Sequence, residues 1–377
     1  MNVLHITNWY PNQWNQRETL FIQEQFRASD DRVAQELWHV QVRNGEALFH
    51  LHQGKRSDSE NYLIIETKIS AWWLQELLTL SLLLLLRIKL LGRHWDGVNI
   101  HIAYPLLRFT RLVSFLFNRK LVITEHWSAY RRNFNLPDSS KGKRRIQNIF
   151  HHGIPVITVS KALRDDIVRF SQTDRFPQYI VPNVVDPKIF YPNIPIRVPA
   201  STTFLMVASW TPIKSPLLVM LAFAELVKEF PNASLRIVGY GAQWSDMQEF
   251  VAAHHLSDSI ALLGAMPKSA IAEEMRLSHC FVHASKYETF SVVCAEALCC
   301  GLPVIASEVG GIPEFVNANN GILVDNTHAA WLGAMRAIAN QERTYDPAVI
   351  SLNAIGMFSP VVVGGMLAKA YYYSFST

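Results

Sequence analysis

The chain has 377 residues, of which 49% are apolar and 18% charged, and its formal charge is +4. This length predicts two domains that each bury a core, and the composition excludes a disordered chain or a coiled-coil array. The charge is uneven, because residues 1–200 carry 26 Lys and Arg against 17 Asp and Glu, while residues 201–377 carry 9 against 14. A basic half predicts an anionic partner, whether a phosphate-bearing substrate, a membrane surface or nucleic acid.

Short apolar runs alternate with helical stretches through the first half, which is the pattern of a parallel α/β sheet. The predicted strands are residues 3–7, 39–42, 62–67, 98–103, 121–124, 155–159 and 179–181. The predicted helices are residues 20–28, 74–91, 106–117 and 161–170. The proline-rich residues 191–202 disfavour both helix and central strand and predict an interdomain linker.

The alternation starts again after the linker. The predicted strands are residues 204–208, 235–239, 260–263, 280–284, 304–306 and 321–324. The predicted helices are residues 217–230, 244–254, 271–278, 292–300 and 329–339. We therefore expect two doubly wound domains in tandem, whose ligands bind at the carboxyl ends of the strands and in a cleft between the domains.

Targeting and cysteine signals point to the cytoplasm. The N-terminus has no basic region followed by a long apolar run, so it does not resemble a signal peptide. The apolar residues 77–86 are fewer than the roughly 20 needed to span a membrane and predict a buried or surface-lying helix. The cysteines fit neither a zinc-ligand spacing nor a disulfide framework, so we expect buried, reduced thiols and no metal site. They are Cys280, Cys294, Cys299 and Cys300.

The most specific motif is Glu288-Thr-Phe-Ser-Val-Val-Cys-Ala-Glu296. Its two carboxylates lie eight residues apart, after a predicted strand and on the first turns of a helix. Eight residues advance about 800°, roughly 80° from two full turns, so both side chains can reach one cleft. The amides of Phe290 and Ser291 open that helix, at an end that attracts phosphate. The alternative is one capping carboxylate and one solvated glutamate.

This block resembles the E-x7-E signature of retaining glycosyltransferase family 4, which has the GT-B fold. Other segments are similar to further family motifs, in the family's order, so the resemblance covers nearly the whole chain. They are Asn8-Trp-Tyr-Pro11 with Phe21-Ile-x-x-Gln25, which is similar to a bacterial polysaccharide- and glycolipid-building branch, then Thr124-Glu-His-Trp127, Ile180-Val-Pro-Asn-Val-Val-Asp186, Glu308-Val-Gly-Gly-Ile-Pro-Glu314 and Asn320-Gly-Ile-Leu-Val324.

The resemblance implies an α/β chain of the GT-B class, with two Rossmann-like parallel-sheet domains facing a central cleft. Residues 1–190 would bind the acceptor, and residues 203–358 would bind a nucleotide-sugar donor. Residues 359–377 would form a helix that crosses back to the first domain.

The resemblance also assigns the donor site. Glu288 would contact the donor sugar, Glu296 the ribose hydroxyls, and Lys214 the diphosphate leaving group, whose developing charge it would stabilise. Ser209 stands where the family has Arg, and Ser291 stands where it has Gly. The alternative for Lys214 is a solvated residue before a helix. The remaining predicted donor-binding residues are Gly239, Gly241, Thr289 and Phe290.

Two further motifs have competing interpretations. In the family, the histidine equivalent to His126 contacts the donor sugar near the reacting carbon, whereas spacing alone favours a packed or capping residue that Glu125 could orient. The resemblance implies a front-face mechanism without a protein nucleophile. Gly239-Tyr-Gly241 is a weak dinucleotide signal and is more typical of a tight turn at the donor edge.

Residues 101–150 contain ten cations and two acids. Together with the Leu-rich residues 74–91, they could rest the first domain on anionic lipid, and a solvated basic surface is the alternative. No reader motif for nucleic acid is present, so we expect no nucleic-acid partner. The residues assigned to this acceptor and membrane side are Arg131, Arg132, Lys141, Lys143, Arg144 and Arg145.

The sequence thus predicts a retaining, metal-independent hexosyltransferase without a further cofactor. It would move a sugar from a UDP- or GDP-sugar to a glycan or lipid-linked glycan during synthesis of a bacterial cell-surface polysaccharide such as lipopolysaccharide or capsule. It would work in the cytoplasm, at the inner face of the membrane. The alternatives are another GT-B enzyme, such as a sugar-nucleotide epimerase, and a non-catalytic basic binding module with a degenerate donor site.

Overall fold

The computed structural model describes residues 1–14, 20–29, 32–117, 120–192 and 201–376. The chain forms two units, Met1–Val184 with Pro360–Thr377 and Val185–Ser359. The first division falls between Val184 and Val185, whereas the prediction placed it after residue 190. Residues 193–200 of the predicted linker lie outside the described residues.

Unit 1 is built on an eight-stranded sheet in the order β3-β4-β2-β1-β5-β6-β7-β8. All neighbouring strands are parallel except β3 and β4, which form an antiparallel edge. The chain runs from β1 to β2 on one side and later to β5 on the other, so β1 is the topological switch point. The strands are β1 (Asn2–Thr7), β2 (Ala34–Asn44), β3 (His50–Lys55), β4 (Glu60–Thr67), β5 (Gly97–His101), β6 (Leu121–Glu125), β7 (Val156–Thr158) and β8 (Gln178–Ile180).

In the described part of unit 1, five α-helices connect these strands, with short 3-10 turns at Leu106–Phe109 and Ser128–Asn135. Ser140 and Ser160 cap α4 and α5, since their hydroxyls accept from the amides of Lys143 and Leu163. The helices are α1 (Leu20–Ala28), α2 (Trp72–Lys89), α3 (Thr110–Leu116), α4 (Lys141–Phe150) and α5 (Lys161–Ser171).

Unit 2 has a six-stranded, fully parallel sheet in the doubly wound order β11-β10-β9-β12-β13-β14. Its core is rich in large side chains such as Phe204, Trp210, Phe223 and Trp331. The strands are β9 (Thr203–Ser209), β10 (Ser234–Tyr240), β11 (Ile260–Gly264), β12 (Cys280–His283), β13 (Val304–Ser307) and β14 (Gly321–Val324). The helices are α6 (Pro216–Glu229), α7 (Trp244–Ala253), α8 (Lys268–Leu277), α9 (Val292–Cys299), α10 (His328–Ala339) and α11 (Pro347–Phe358).

The last helix, α12 (Pro360–Ser376), belongs to unit 1. Ser359 is extended, at φ −62° and ψ 152°, so α11 ends before it and α12 begins after it. One face of α12 is buried in the core of unit 1, and Tyr371 Oη accepts a hydrogen bond of 2.9 Å from Asn99. Among the helices in the described ranges, the stretch Pro347–Ser376 is long and apolar enough to cross a membrane by composition alone. The break at Ser359 divides that stretch into two helices of different units.

Every predicted strand and helix coincides with one in the structure, and among the strands and α-helices of the described residues three were missed. β3 is an almost fully exposed edge strand, so its side chains show no apolar alternation. α4 buries apolar residues beneath a strongly basic surface, and the charge obscured its periodicity. α11 starts at Asp346-Pro347, a cap and first-turn proline that are recognisable helix-start signals.

Candidate functional site

Glu288 lies in the loop after β12 and is only 9% exposed. Its Oε1 forms an ion pair with the ammonium of Lys214 and accepts a hydrogen bond of 2.7 Å from His283 Nε2. Lys214 lies just before α6, while His283 is the last residue of β12. The structure therefore brings together the predicted Glu288 and Lys214 and adds a histidine that the sequence did not indicate.

This carboxylate is ionised despite its burial. Burial on its own raises the pKa of Glu288, but the Lys214 charge and the hydrogen bond from His283 outweigh it and lower the pKa to about 2. Burial lowers the pKa of His283, so its imidazole is neutral at pH 7 and donates to Glu288 through Nε2–H. The site thus holds a fixed negative charge between two donors.

Backbone hydrogen bonds hold the Glu288 loop in place. The Ser285 amide donates to Ser307 Oγ at 2.9 Å, and Asn326 Nδ2 donates to the Ser285 carbonyl at 2.8 Å. The Lys286 amide donates to the Ile213 carbonyl at 2.8 Å. This last bond joins the loop after β12 to the loop that carries Lys214, which explains why Lys214 and Glu288 meet although they are distant in the chain.

The glycine pair at 310 and 311 packs directly on the Glu288 backbone. Gly310 has φ +55°, and a Cβ there would lie 1.7 Å from the Glu288 carbonyl oxygen. The Gly311 amide donates to the same oxygen at 3.3 Å. Only glycine permits this close approach. The glycines of the Glu308–Glu314 motif therefore allow that segment to pack against the backbone of the E-x7-E motif at Glu288.

The start of α9 carries the remaining residues of the E-x7-E motif. Ser291 is buried and precedes the helix with φ +78°, a left-handed conformation that favours glycine. Glu296 is buried on α9, and the ammonium of Lys268 lies 3.6 Å from its Oε1. Phe290 packs its ring against Phe315 at 5.0 Å, so only its backbone can serve the predicted donor role. Thr289 is half-buried.

Ser209 and the two glycines of Gly239-Tyr-Gly241 lie at the same edge of the sheet. Ser209 ends β9 and is exposed, and Tyr240 is its register partner. Gly239 has φ +128°, and a Cβ there would lie 1.9 Å from the Ala208 carbonyl oxygen. A Cβ on Gly241 would lie 2.2 Å from the Trp210 carbonyl oxygen. These glycines let the ends of β9 and β10 pass closely, as the tight-turn interpretation requires.

His126 follows β6 in unit 1 and is buried, with the Phe21 ring 4.6 Å away. Burial, and next the neighbouring His101, lower its pKa well below the usual range, so it is neutral at pH 7. Glu125 does not orient it in the way we expected. The Glu125 carboxylate instead accepts from the Ala103 amide at 2.7 Å and from Tyr130 Oη at 2.5 Å, and burial raises its pKa to about 7.

Lys143 was predicted to belong to the basic surface, but the structure buries it. It is only 7% exposed, and its ammonium lies 2.5 Å from Asp138, because it occupies the buried face of α4. Arg131 is exposed and lies 3.5 Å from the buried Asp166. The other members of the set are exposed, and they are Arg132, Lys141, Arg144 and Arg145.

The four cysteines are free and buried, as predicted. Burial raises the pKa of each thiol, which keeps it protonated. Within the described ranges, no three His, Cys, Asp or Glu side chains converge as a metal site would require. Metal independence remains a prediction.

The site residues of unit 2 lie within a segment that matches a known protein family. Residues 194–348 match the family model "Glycosyl transferases group 1". A component of the phosphatidylinositol N-acetylglucosaminyltransferase of Homo sapiens is 30% identical over 170 residues, which are 45% of this chain and 35% of that protein. The chain thus matches about a third of the length of its first curated relatives.

Solved structures resemble the whole chain, two of which illustrate the likeness. Sucrose-phosphate synthase from Thermosynechococcus elongatus has a TM-score of 0.73 at 18% identity, covering 100% of both chains. Anabaena Alr3699/HepE in complex with UDP has a TM-score of 0.72 at 16% identity, covering 98% of this chain and 99% of the other. These likenesses confirm the predicted fold class, two Rossmann-like parallel-sheet domains of the GT-B type.

Proposed function

We propose that this chain is a retaining glycosyltransferase of family 4 type. It transfers a hexose from a nucleotide diphosphate-sugar, with UDP or GDP as the nucleotide, to a glycan or lipid-linked glycan of a bacterial cell surface. Unit 2 binds the donor, and unit 1 binds the acceptor.

The observation that carries this proposal is the buried, ionised Glu288 held by Lys214 and His283. It lies at the carboxyl ends of the strands of a doubly wound sheet, where such folds bind nucleotides. It also lies within the residues that match the glycosyl transferase family model. UDP in the Anabaena structure supports a uridine donor.

Each site residue receives a role in the proposal. Glu288 contacts the donor sugar, Glu296 binds the ribose hydroxyls, and Lys214 moves from Glu288 to the diphosphate as negative charge develops on the leaving group. His126 contributes a neutral imidazole near the reacting carbon. The acceptor hydroxyl attacks the anomeric carbon on the face from which the leaving diphosphate departs, so the chain needs no nucleophile of its own. The leaving phosphate takes the proton of that hydroxyl, so no protein base is needed.

The test combines nucleotide binding with sugar transfer. A panel of UDP-, GDP- and ADP-sugars is screened for a rise in thermal midpoint and for hydrolysis, and transfer is assayed with the best donor. Glu288→Gln should retain nucleotide binding but lose transfer by about a hundredfold or more, because it removes a charge aimed at the reacting sugar. Lys214→Met should weaken the binding of the nucleoside diphosphate more than that of the monophosphate.

Lys228→Met is the matched control, since Lys228 is exposed on α6. It should behave as the wild type does. Wild-type transfer by Glu288→Gln would contradict the proposed donor site. A chain that binds and hydrolyses no nucleotide-sugar would instead favour the basic binding module.

We place the enzyme at the inner face of the cytoplasmic membrane. Exposed cations on and near α4, together with apolar side chains on the outer face of α2, suit an anionic lipid surface. The human relative is named for a phosphatidylinositol acceptor, which supports a lipid-linked one here. Flotation with phosphatidylglycerol vesicles should fall several-fold when Lys141, Arg144 and Arg145 are changed to Gln. Equal flotation of both proteins would argue against this placement.

A further inference from the structure

Unit 1 contains a cavity of about 360 Å³ at the carboxyl edge of its sheet. Its walls come from α2, from residues 40–42 of β2, from the residues that follow β1, and from the turn that follows β5. The volume lies within the range of small-molecule sites, roughly 300–1,000 Å³. Asn8 and Trp9 of the Asn8-Trp-Tyr-Pro11 motif line it, but the sequence assigned no role to either residue.

The cavity occupies the place where an open α/β sheet binds ligands. Asn8 and Trp9 come directly after β1, while Tyr104 and Arg108 lie in the turn beyond β5. Since β2 and β5 flank β1 on opposite sides, the cavity opens at the topological switch point.

The polar lining suits a hydroxyl-rich, uncharged ligand. Glu76 and Arg108 form an ion pair in the wall, with side chains 18% and 16% exposed. Asn8 is 8% exposed, and its Oδ1 has no hydrogen-bond partner within the part of the chain that the structure describes. A buried acceptor without a donor is unfavourable, and a ligand hydroxyl would supply the donor. A hydroxyl can also donate to Glu76 or accept from Arg108, whereas an anion would be repelled by Glu76.

One helix links this cavity to an exposed apolar surface. At 100° per residue, the cavity-lining residues 75, 76, 79, 80 and 83 of α2 span about 140° of its circumference. Trp73, Leu77, Leu84 and Ile88 are exposed, and they span about 60° of the adjoining face. A ligand with a polar head and an apolar tail can therefore contact both faces at once.

We infer that the cavity binds the neutral sugar head group of an amphipathic acceptor, whose alkyl chain lies on the exposed apolar face of α2. This inference rests on the proposed function and moves the acceptor head group away from the basic cluster at residues 131–145. Trp9 and Tyr104 line the cavity, and aromatic side chains of this kind supply apolar surface for the apolar face of a sugar ring.

Photolabelling of the full chain tests the inference. The probes are decyl β-glucoside, decyl β-N-acetylglucosaminide and decyl α-mannoside, each carrying a diazirine in the alkyl chain and used below its micelle concentration. With at least one head group, we expect cross-links on residues 72–91, tenfold above those of a decyl alcohol diazirine and displaced by the matching methyl glycoside.

Two variants and one control locate the site. Thr79→Trp fills the cavity and should reduce labelling about tenfold. Glu76→Gln keeps the size of the side chain and removes its charge, and it should also reduce labelling about tenfold. The test therefore holds even if Thr79→Trp does not fold. Lys89 lies on another exposed face of α2. Lys89→Trp is therefore the control and should be labelled as strongly as the wild type.

The inference is overturned if no sugar probe exceeds the alcohol probe, if labelling centres on residues 131–145, or if both cavity variants label normally. Its failure is separable from failure of the proposed function. Labelling of α2 without nucleotide binding would leave the cavity site standing and reject the transferase. Sugar transfer without such labelling would reject the cavity site alone.

Discussion

Glu288 shows how single residues set the electrostatics of the candidate site. Its folded-state pKa of about 2 lies below the value of about 4.3 for an unfolded glutamate. The ionised carboxylate therefore stabilises the fold above pH 4.3, and this contribution is lost as the pH falls towards 2. Lys214, which is 74 residues away in the chain, and His283, which is five residues away, keep the carboxylate ionised.

Ser291 provides a prediction at this scale. Its φ of +78° is strained for a residue with a Cβ, so Ser291→Gly should raise the free energy of unfolding by up to about 1 kcal/mol, net of the greater unfolded-state entropy of glycine. Ser160→Gly is the matched control, because Ser160 also precedes a helix but has φ −159° and caps Leu163. Urea unfolding should give a lower free energy of unfolding for Ser160→Gly than for the wild type, because that variant loses the cap. Destabilisation of both variants would mean that Ser291 is not strained.

At the scale of elements, α12 completes the core of unit 1. Gly97 lies under Phe375, where a Cβ would be 2.2 Å from the ring, and Gly364 packs on the Ala28 carbonyl. Val363, Leu367 and Tyr371 are buried in the same core. The apolar character of α12 is therefore explained by packing on the sheet of unit 1.

The hydrogen bond between Asn99 and Tyr371 gives a prediction for this element. Tyr371→Phe leaves a buried amide with one partner fewer, so the free energy of unfolding should fall by about 1–2 kcal/mol. Tyr372→Phe is the control, because Tyr372 is exposed on the next position of the helix. Chemical denaturation should separate the two variants. Equal stability of Tyr371→Phe and wild type would show that this bond contributes nothing.

At the scale of the whole molecule, buried histidines are concentrated in unit 1. Burial lowers the pKa of His5, His39, His101 and His126, to about 3 for His39 and His101. His5 Nδ1 lies 3.0 Å from His101 Nε2, and the His101 and His126 rings stack at 6.2 Å. These side chains are neutral in the folded unit, whereas unfolded histidines take up protons below about pH 6.5.

Acidification should therefore destabilise unit 1. Because each folded pKa lies below its unfolded value, stability is lost as the pH falls through 6.5, by about 1 kcal/mol for each histidine between pH 7 and 5.5. Hydrogen exchange of the β1 and β5 amides, corrected for intrinsic rates, should report this loss. His39→Gln should reduce the difference, and His50→Gln, on an exposed strand, should not. The same opening free energy at both pH values would contradict the prediction.

Most of the fold was predictable because buried parallel strands and amphipathic helices leave strong periodic signals. Exposed β3 leaves no such signal, and it was missed. The site was predictable in part. Glu288 and Lys214 are recognisable by their motifs, whereas His283 is one polar residue at the end of an apolar strand, and nothing local marks it as the partner of Glu288.

The sequence by itself determined the two α/β units, the order of their elements and the motif residues, since these depend on local periodicity and spacing. Only the tertiary structure decided which side chains meet. It paired Glu288 with Lys214 and His283, buried Lys143 beside Asp138, and opened a cavity against α2. Lys214 and Glu288 are 74 residues apart, whereas His283 and Glu288, like Asp138 and Lys143, are five residues apart, a spacing that matches no helix or strand period. Burial, which depends on every neighbour at once, fixes their charge states. The formal charge of +4 carries none of this information, because a sum over the chain does not record where each charge lies.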